Sequence, residues 1–155
     1  MIIADEVYRD NIYDGAKFYS FRAVLEKMEE KYRQKCELAS LNSVSKGLTG
    51  ECGLRGGYLY IHNFNEKVRV QLIKLKSLGL CSNTVGQLAM EILTNPPVEG
   101  VAPETKEKFE TERKTLFDSM SRRAKIALKY LNSMKNIHSQ SIVGGMDVFP
   151  SVKFS

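Results

Sequence analysis

The sequence predicts an α/β fold built on a mostly parallel sheet. It opens with "MIIADEVY", where Ile2, Ile3 and Ala4 form a short apolar run closed by Asp5, the pattern of a strand buried on both faces. A helical stretch and a second strand, "CELASLNSVSK", come next, and strand, helix, strand is the order of a parallel pair. The third observation is the run "SVSKGLTGECGLRGGY", which carries five glycines between that strand and a further one, "GYLYIHNF". Glycine at this density lets a ligand approach the main chain closely. In open sheets of this class ligands gather beyond the carboxyl ends of the strands, so those ends hold the first candidates for a site.

Each element has its own local cause. "YDGAK" marks a turn, and Ser20 is an N-cap for a helix carrying Phe21, Val24, Leu25 and Met28 on one face. Asn65 caps another helix, in which Val68, Leu72 and Leu75 recur at helical spacing, and a third covers about Val85 to Leu93. Pro96, Pro97 and Gly100 then break the chain, which places a boundary there. Pro103 sits in the first turn of a long helix whose apolar stripe runs through Phe109, Leu116, Met120, Ala124, Leu128 and Leu131. Its glutamate-rich start and basic end suit the helix dipole, and Glu104 with Lys108 and Glu110 with Lys114 have the supportive i, i+4 order. Finally "SIVGGMDVFPSVKF" reads as strand, Gly-Gly turn and strand. About three strands precede the proline break, too few to surround a strand buried on both faces, so the chain is expected to be a piece of a longer polypeptide.

Composition narrows the function classes. With 155 residues and 43% hydrophobic content, the chain has the bulk of an ordinary folded domain. Much of its net charge of +5 lies in "SRRAKIALKYLNSMKN", a solvated helical face without aromatic interleaving, so no nucleic-acid partner is expected. No segment approaches the roughly 20 apolar residues of a membrane span, and no membrane partner is expected. Cys36, Cys52 and Cys81 form no CxxC pair, which points to a reducing, cytoplasmic setting. His62 and His138 lack a second ligand at metal spacing, so no metal site is expected.

The chemistry centres on Lys46, because a lysine amine becomes reactive when its pKa is lowered or it forms an imine. Asp5 closes one strand, Tyr8 lies in the turn beyond it, Ser43 and Lys46 close the next strand, and Arg55 follows the glycine loop. A carboxylate, a phenol, an amine, hydroxyls and a guanidinium together suit pyridoxal phosphate. A carboxylate keeps its ring nitrogen protonated as an electron sink, and its phosphate suits a fork-shaped guanidinium with hydroxyls and loop amides.

At "DEVYRDNIY", "ELASLNSVSKGLTGECGLRGGY", "SLGLCSNTVGQ", "NPPV" and "GGMDVFPSV" the sequence resembles the aminotransferases of pyridoxal-phosphate fold type I, most closely their alanine branch. The "SKGxxGECGxRGGY" match is long and nearly uninterrupted, and the extra residue before Arg55 is a mark of that branch. The resemblance implies that residues 1–95 are part of the cofactor-binding large domain, 96–103 a linker and 104–155 the start of a small α+β domain. It implies that Lys46 forms the imine with the cofactor and then shuttles a proton, that Asp5 pairs with the ring nitrogen, and that Tyr8 hydrogen-bonds the ring oxygen. Ser43 and Arg55 would hold the phosphate, with Ser45 assisting. The implied substrates are an amino acid and a 2-oxo acid, L-alanine and 2-oxoglutarate, in a homodimeric full-length protein. The aromatic that stacks on the ring and the arginine that grips the substrate carboxylate have no counterpart among these residues, so the chain alone is expected to be inactive and poorly folded.

Two other readings compete. Ser43-x-x-Lys46 satisfies the serine–lysine signature of penicillin-binding hydrolases, but its companion SDN and KTG triplets are absent from the sequence. The other alternative is a non-catalytic remnant or interaction module on the same fold.

Overall fold

A computed structural model describes residues 1–154. The chain divides into two compact units, one of Met1–Val7 with Tyr19–Pro96, the other of Tyr8–Phe18 with the residues from Pro97 on. Tyr8–Phe18 thus belongs to the second unit although it lies within 1–95.

The first unit comprises β1 (Ile2–Asp5), α1 (Phe21–Lys27), α2 (Glu30–Arg33), β2 (Leu38–Ser43), β3 (Gly57–His62), α3 (Glu66–Ser77) and α4 (Thr84–Thr94). Its sheet has the order β1-β2-β3. β1 and β2 pair in parallel, Asp5 level with Leu41. β2 and β3 pair antiparallel, from Leu38 opposite His62 to Ser43 opposite Gly57. The sheet is therefore mixed where a mostly parallel one was expected. A parallel return needs a crossover, usually helical, whereas the link from β2 to β3 holds only a 3-10 turn at Cys52–Leu54, so the chain reverses at the same edge.

Ser20 caps α1 as expected, its Oγ accepting the Ala23 N–H at 3.1 Å. Leu25 packs with Ala4 and Leu38, and Cys36 and Tyr60 lie against them. Of the apolar face expected on α1 only Leu25 is buried; Phe21, Val24 and Met28 are exposed. β1 likewise buries Ala4, while Ile3 on its other face is 63% exposed, so the double-sided burial expected of this strand is not supplied within the unit. Asn65 caps α3 by accepting the Lys67 N–H, yet no α3 residue is buried. The short α2 carries no sequence signal strong enough to have been expected.

The second unit is built on α5 (Pro103–Ser133), with Pro103 in its first turn, and a small pair of β4 (Ile137–His138) and β5 (Ser151–Val152). The ion pairs of α5 run in the order opposite to the expected one: Lys106 with Glu110, Lys108 with Glu112, Lys114 with Asp118. Lysine and acid alternate, so Lys108 and Lys114 each have a carboxylate four residues away on either side. Tyr13 and Asn11 form the buried centre: the Tyr13 ring meets Phe117 at 5.8 Å between centroids, and Asn11 Nδ2 donates to the Met120 sulfur. No α5 residue is fully buried, Leu116 being 46% exposed.

The expected hairpin over "SIVGGMDVFPSVKF" does not form. Gly144 bridges to Ile12, and β5 pairs with β4, Val152 opposite Ile137. A Cβ on Gly144 would lie 2.9 Å from the Asn11 carbonyl oxygen, so this glycine serves a close backbone approach to a distant segment. Among the described residues no helix is long and apolar enough to cross a membrane, and no group of three or more His, Cys, Asp or Glu could hold a metal ion.

Candidate active site

Parallel pairing brings the carboxyl ends of β1 and β2 to one edge of the sheet, and the reversal into β3 adds the amino end of a third strand to that edge. Asp5 ends β1, exposed, with its Oδ1 facing the Val7 N–H at 3.4 Å. Ser43 ends β2, its Oγ donating to the Gly56 carbonyl at 3.1 Å and accepting the Ser45 N–H at 3.0 Å. The hydrogen bond to Gly56 ties the two ends of the loop together, and the one from Ser45 fixes its first turn.

The loop between them is pinned along its length. The Val44 N–H donates to Gly56, its carbonyl accepts the Glu51 N–H, and the Cys52 thiol donates to the Ser45 carbonyl. Lys46 lies exposed in the first turn of this loop, just before Gly47. Gly47 has φ +72°, a conformation that side-chain-bearing residues rarely adopt, and the Val7 carbonyl oxygen lies 3.9 Å from where its Cβ would stand. The backbone just beyond Asp5 therefore runs beside the turn that carries Lys46. These two residues, widely separated in sequence, occupy the same edge.

Arg55 has a left-handed backbone, φ 54°, immediately before β3. Its Nη1 donates to the Cys52 carbonyl at 3.0 Å, which leaves further guanidinium N–H groups for a ligand. Ser43, Ser45 and Arg55 line one open cavity of about 540 Å³, together with Lys76, Gln87 and Glu91 from α3 and α4. Two cations against one carboxylate, with the Ser43 and Ser45 hydroxyls and those of Tyr58, Ser82 and Thr94, is a donor set suited to a phosphate dianion, so the residues present fit the phosphate of the expected cofactor. Asp5 and Lys46 lie outside the wall of this cavity. Tyr8 belongs to the second unit, where its hydroxyl donates to an Asp147 carboxylate oxygen at 3.0 Å.

The glycines of the loop have a use that the sequence reading did not see. A Cβ on Gly56 would stand 2.5 Å from the Gly86 carbonyl oxygen, and one on Gly86 would stand 2.6 Å from that of Leu54. The space expected for a ligand at Gly56 is occupied by α4. Asn83 fixes the approach, its Nδ2 donating to the Leu54 carbonyl and its Oδ1 accepting the Gly86 N–H. Lys76, Gln87 and Gly86 carried no legible signal, since only the folded chain brings their helices to the loop.

The pattern of the family described as aminotransferase class I and II matches residues 1–143. The chain belongs to that family. Pyridoxal 5′-phosphate is its cofactor and transfer of an amino group its chemistry. The mitochondrial alanine aminotransferase of Saccharomyces cerevisiae is 37% identical over 155 residues, which cover 98% of this chain and 26% of the relative. Alanine aminotransferase 2 of Xenopus laevis is 40% identical over 152 residues, 97% of this chain and 28% of its own length. The chain thus spans between a quarter and a third of the curated relatives it matches. Among solved structures, an alanine aminotransferase from Pyrococcus furiosus superposes with a TM-score of 0.74 at 22% identity, over 99% of this chain and 34% of the other. The α-aminoadipate aminotransferase of Thermus thermophilus, solved with N-(5′-phosphopyridoxyl)-L-leucine, gives 0.67 at 20% identity, over 97% and 34%. These likenesses show the aminotransferase α/β fold.

Proposed function

We propose that this chain is the cofactor-lysine segment of an enzyme that moves the amino group of L-alanine to 2-oxoglutarate, giving pyruvate and L-glutamate. The observation that carries the reading is the convergence of Ser43, Ser45 and Arg55 on one cavity at the strand edge shared by Asp5 and the Lys46 turn. The substrate pair rests on the printed names of the relatives.

Bound pyridoxal phosphate would supply an aldehyde that takes up amino groups and a ring that accepts electrons. The chain's own residues do the rest. Arg55 binds the phosphate in a charge-assisted fork, and Ser43 and Ser45 add hydroxyl donors that fix its orientation. Asp5 holds a proton at the ring nitrogen by offering a carboxylate where positive charge must persist. The resemblance assigns the ring oxygen to the Tyr8 hydroxyl, which here donates to Asp147. Lys46 would supply the amine that holds the group and the base that moves the proton at the substrate α carbon.

Residues 1–95 are proposed as part of the cofactor-binding domain, 96–103 as a linker and 104–155 as the start of a small domain, within a homodimer in the cytoplasm. The many exposed apolar side chains, Leu75, Leu78 and Leu80 among them, support a segment that needs further surfaces to pack on and is inactive by itself.

Borohydride reduction of the cofactor-loaded protein that contains this chain, followed by peptide mapping, tests the central assignment. The tag is expected on Lys46 and lost in Lys46→Ala. A tag on any other lysine would refute it.

A further inference from the structure

We infer that Glu6 is a positioning residue for this site: its buried carboxylate locks the end of β1 to β2 and α1, and so sets where Asp5 stands relative to Lys46. The inference rests on the proposed function, because it concerns the residues that would face the cofactor.

Glu6 is only 9% exposed, unusual for a carboxylate unless both oxygens find donors. Both do. Oε1 accepts the Phe21 N–H at 2.7 Å and Oε2 accepts the Ser40 hydroxyl at 2.5 Å. Phe21 is the first residue of α1, so its N–H has no partner within the helix. The Glu6 N–H in turn donates to the Leu41 carbonyl at 3.0 Å, extending the β1–β2 ladder one residue past the strand. One side chain and its amide therefore join three elements at the residue next to Asp5.

The geometry then runs straight to the site. Side chains alternate along an extended chain, so Glu6 turns inward while Asp5 is exposed on the other side. The next carbonyl, that of Val7, lies beside Gly47, which follows Lys46. A backbone held at Glu6 cannot swing Asp5 without moving against the turn that carries the lysine. A shorter aspartate could not reach both donors. Glutamine keeps the length, its oxygen can accept the Phe21 N–H, and Ser40 can rotate its hydroxyl to accept from the amide, so Glu6→Gln retains both contacts and serves as the conservative variant.

The test compares Glu6→Gln, Glu6→Asp and Ser40→Ala with the wild type in the cofactor-loaded protein that contains this chain. Cofactor dissociation constants are measured together with the ¹⁵N shift of the cofactor ring nitrogen, which reads its protonation, and with urea midpoints. Asp5→Asn serves as the reference for a lost ring contact. Glu6→Asp, too short for both partners, is expected to weaken cofactor binding roughly tenfold to a hundredfold and to move the ring-nitrogen signal toward that of Asp5→Asn, whereas Glu6→Gln, which can pair with both, is expected to stay close to the wild type. Ser40→Ala, which removes one of the two bonds and introduces no new length or charge, is expected to act as Glu6→Asp does, to a lesser degree. Variants with lowered urea midpoints but an unchanged ring-nitrogen signal and dissociation constant would overturn the inference, leaving Glu6 as a stability residue only. Absence of cofactor uptake by the wild type would instead refute the proposed function and this inference with it.

Discussion

Replacing Gly86 by alanine sets two effects of opposite sign against each other. Gly86 lies in the first turn of α4, where alanine is favoured over glycine by at most the helix-interior value of about 1 kcal/mol. Against this, the new methyl would stand 2.6 Å from the Leu54 carbonyl oxygen, 2.8 Å from Asn83 Nδ2 and 3.2 Å from the Gly56 Cα. Ordinary contact begins near 3.4 Å, so the Leu54 carbonyl must retreat by about 0.8 Å. It cannot rotate away as a side chain would, and both it and Gly56 belong to the loop that Ser43 and Val44 hold closed. Overpacking against backbone costs about 1–3 kcal/mol, with the upper part of the range appropriate here. The clash wins, and Gly86→Ala should destabilise by about 1–2 kcal/mol net. Urea unfolding of the cofactor-free protein that contains this chain, followed by circular dichroism, measures it. Gly53→Ala is the control, because nothing lies within 4 Å of its Cβ position, and it should stay within about 0.5 kcal/mol of wild type. A Gly86→Ala protein as stable as the wild type would refute the claim that close backbone contact requires glycine where α4 meets the loop at Leu54 and Gly56.

Two further outcomes follow from local contacts. Ser20→Ala removes the Oγ that accepts the Ala23 N–H and should cost about 1 kcal/mol, read as a lower urea midpoint, with Ser20→Asn restoring most of it. On α3, the hydrogen bond from Arg69 holds the Glu66 carboxyl below its ordinary value of 4.5 and raises the Arg69 guanidinium in return. A carboxylate depressed in the fold adds stability above its unfolded value that is lost as the pH falls through the folded one. Amide protection in α3, taken relative to the intrinsic exchange rate at each pH, should therefore fall below about pH 4.5, modestly and less so in high salt, because the pair is exposed. Glu66→Gln should remove that fall in protection.

Much of the site was legible in the sequence because its residues sit at the ends of strands with strong local patterns. The apolar run before Asp5 marked β1, and the glycine-rich stretch marked a loop with Ser43, Lys46 and Arg55 around it. Glu6 stood next to Asp5 in plain view, yet nothing local showed its burial, since its partners Ser40 and Phe21 are 34 and 15 residues away. Gly86, Lys76 and Gln87 were missed for the same reason. The apolar stripes of α3 and α5 had the right period for helices, but period does not say what covers them: that of α3 stays largely exposed, and that of α5 is half-buried apart from the exposed Leu116.

What the amino-acid order alone determined was local: where helices start at Ser20, Asn65 and Pro103, where the chain breaks at Pro96 and Pro97, and the family to which the lysine loop belongs. Caps, period and turn chemistry act over a few residues, so they can be read without the fold. Tertiary structure alone decided that β3 runs antiparallel to β2, that Gly144 pairs with Ile12, that Gly56 and Gly86 share one contact, and that Glu6 joins β1 to β2 and α1. Each of these joins segments far apart in the chain, and their free energy exists only once both partners are in place.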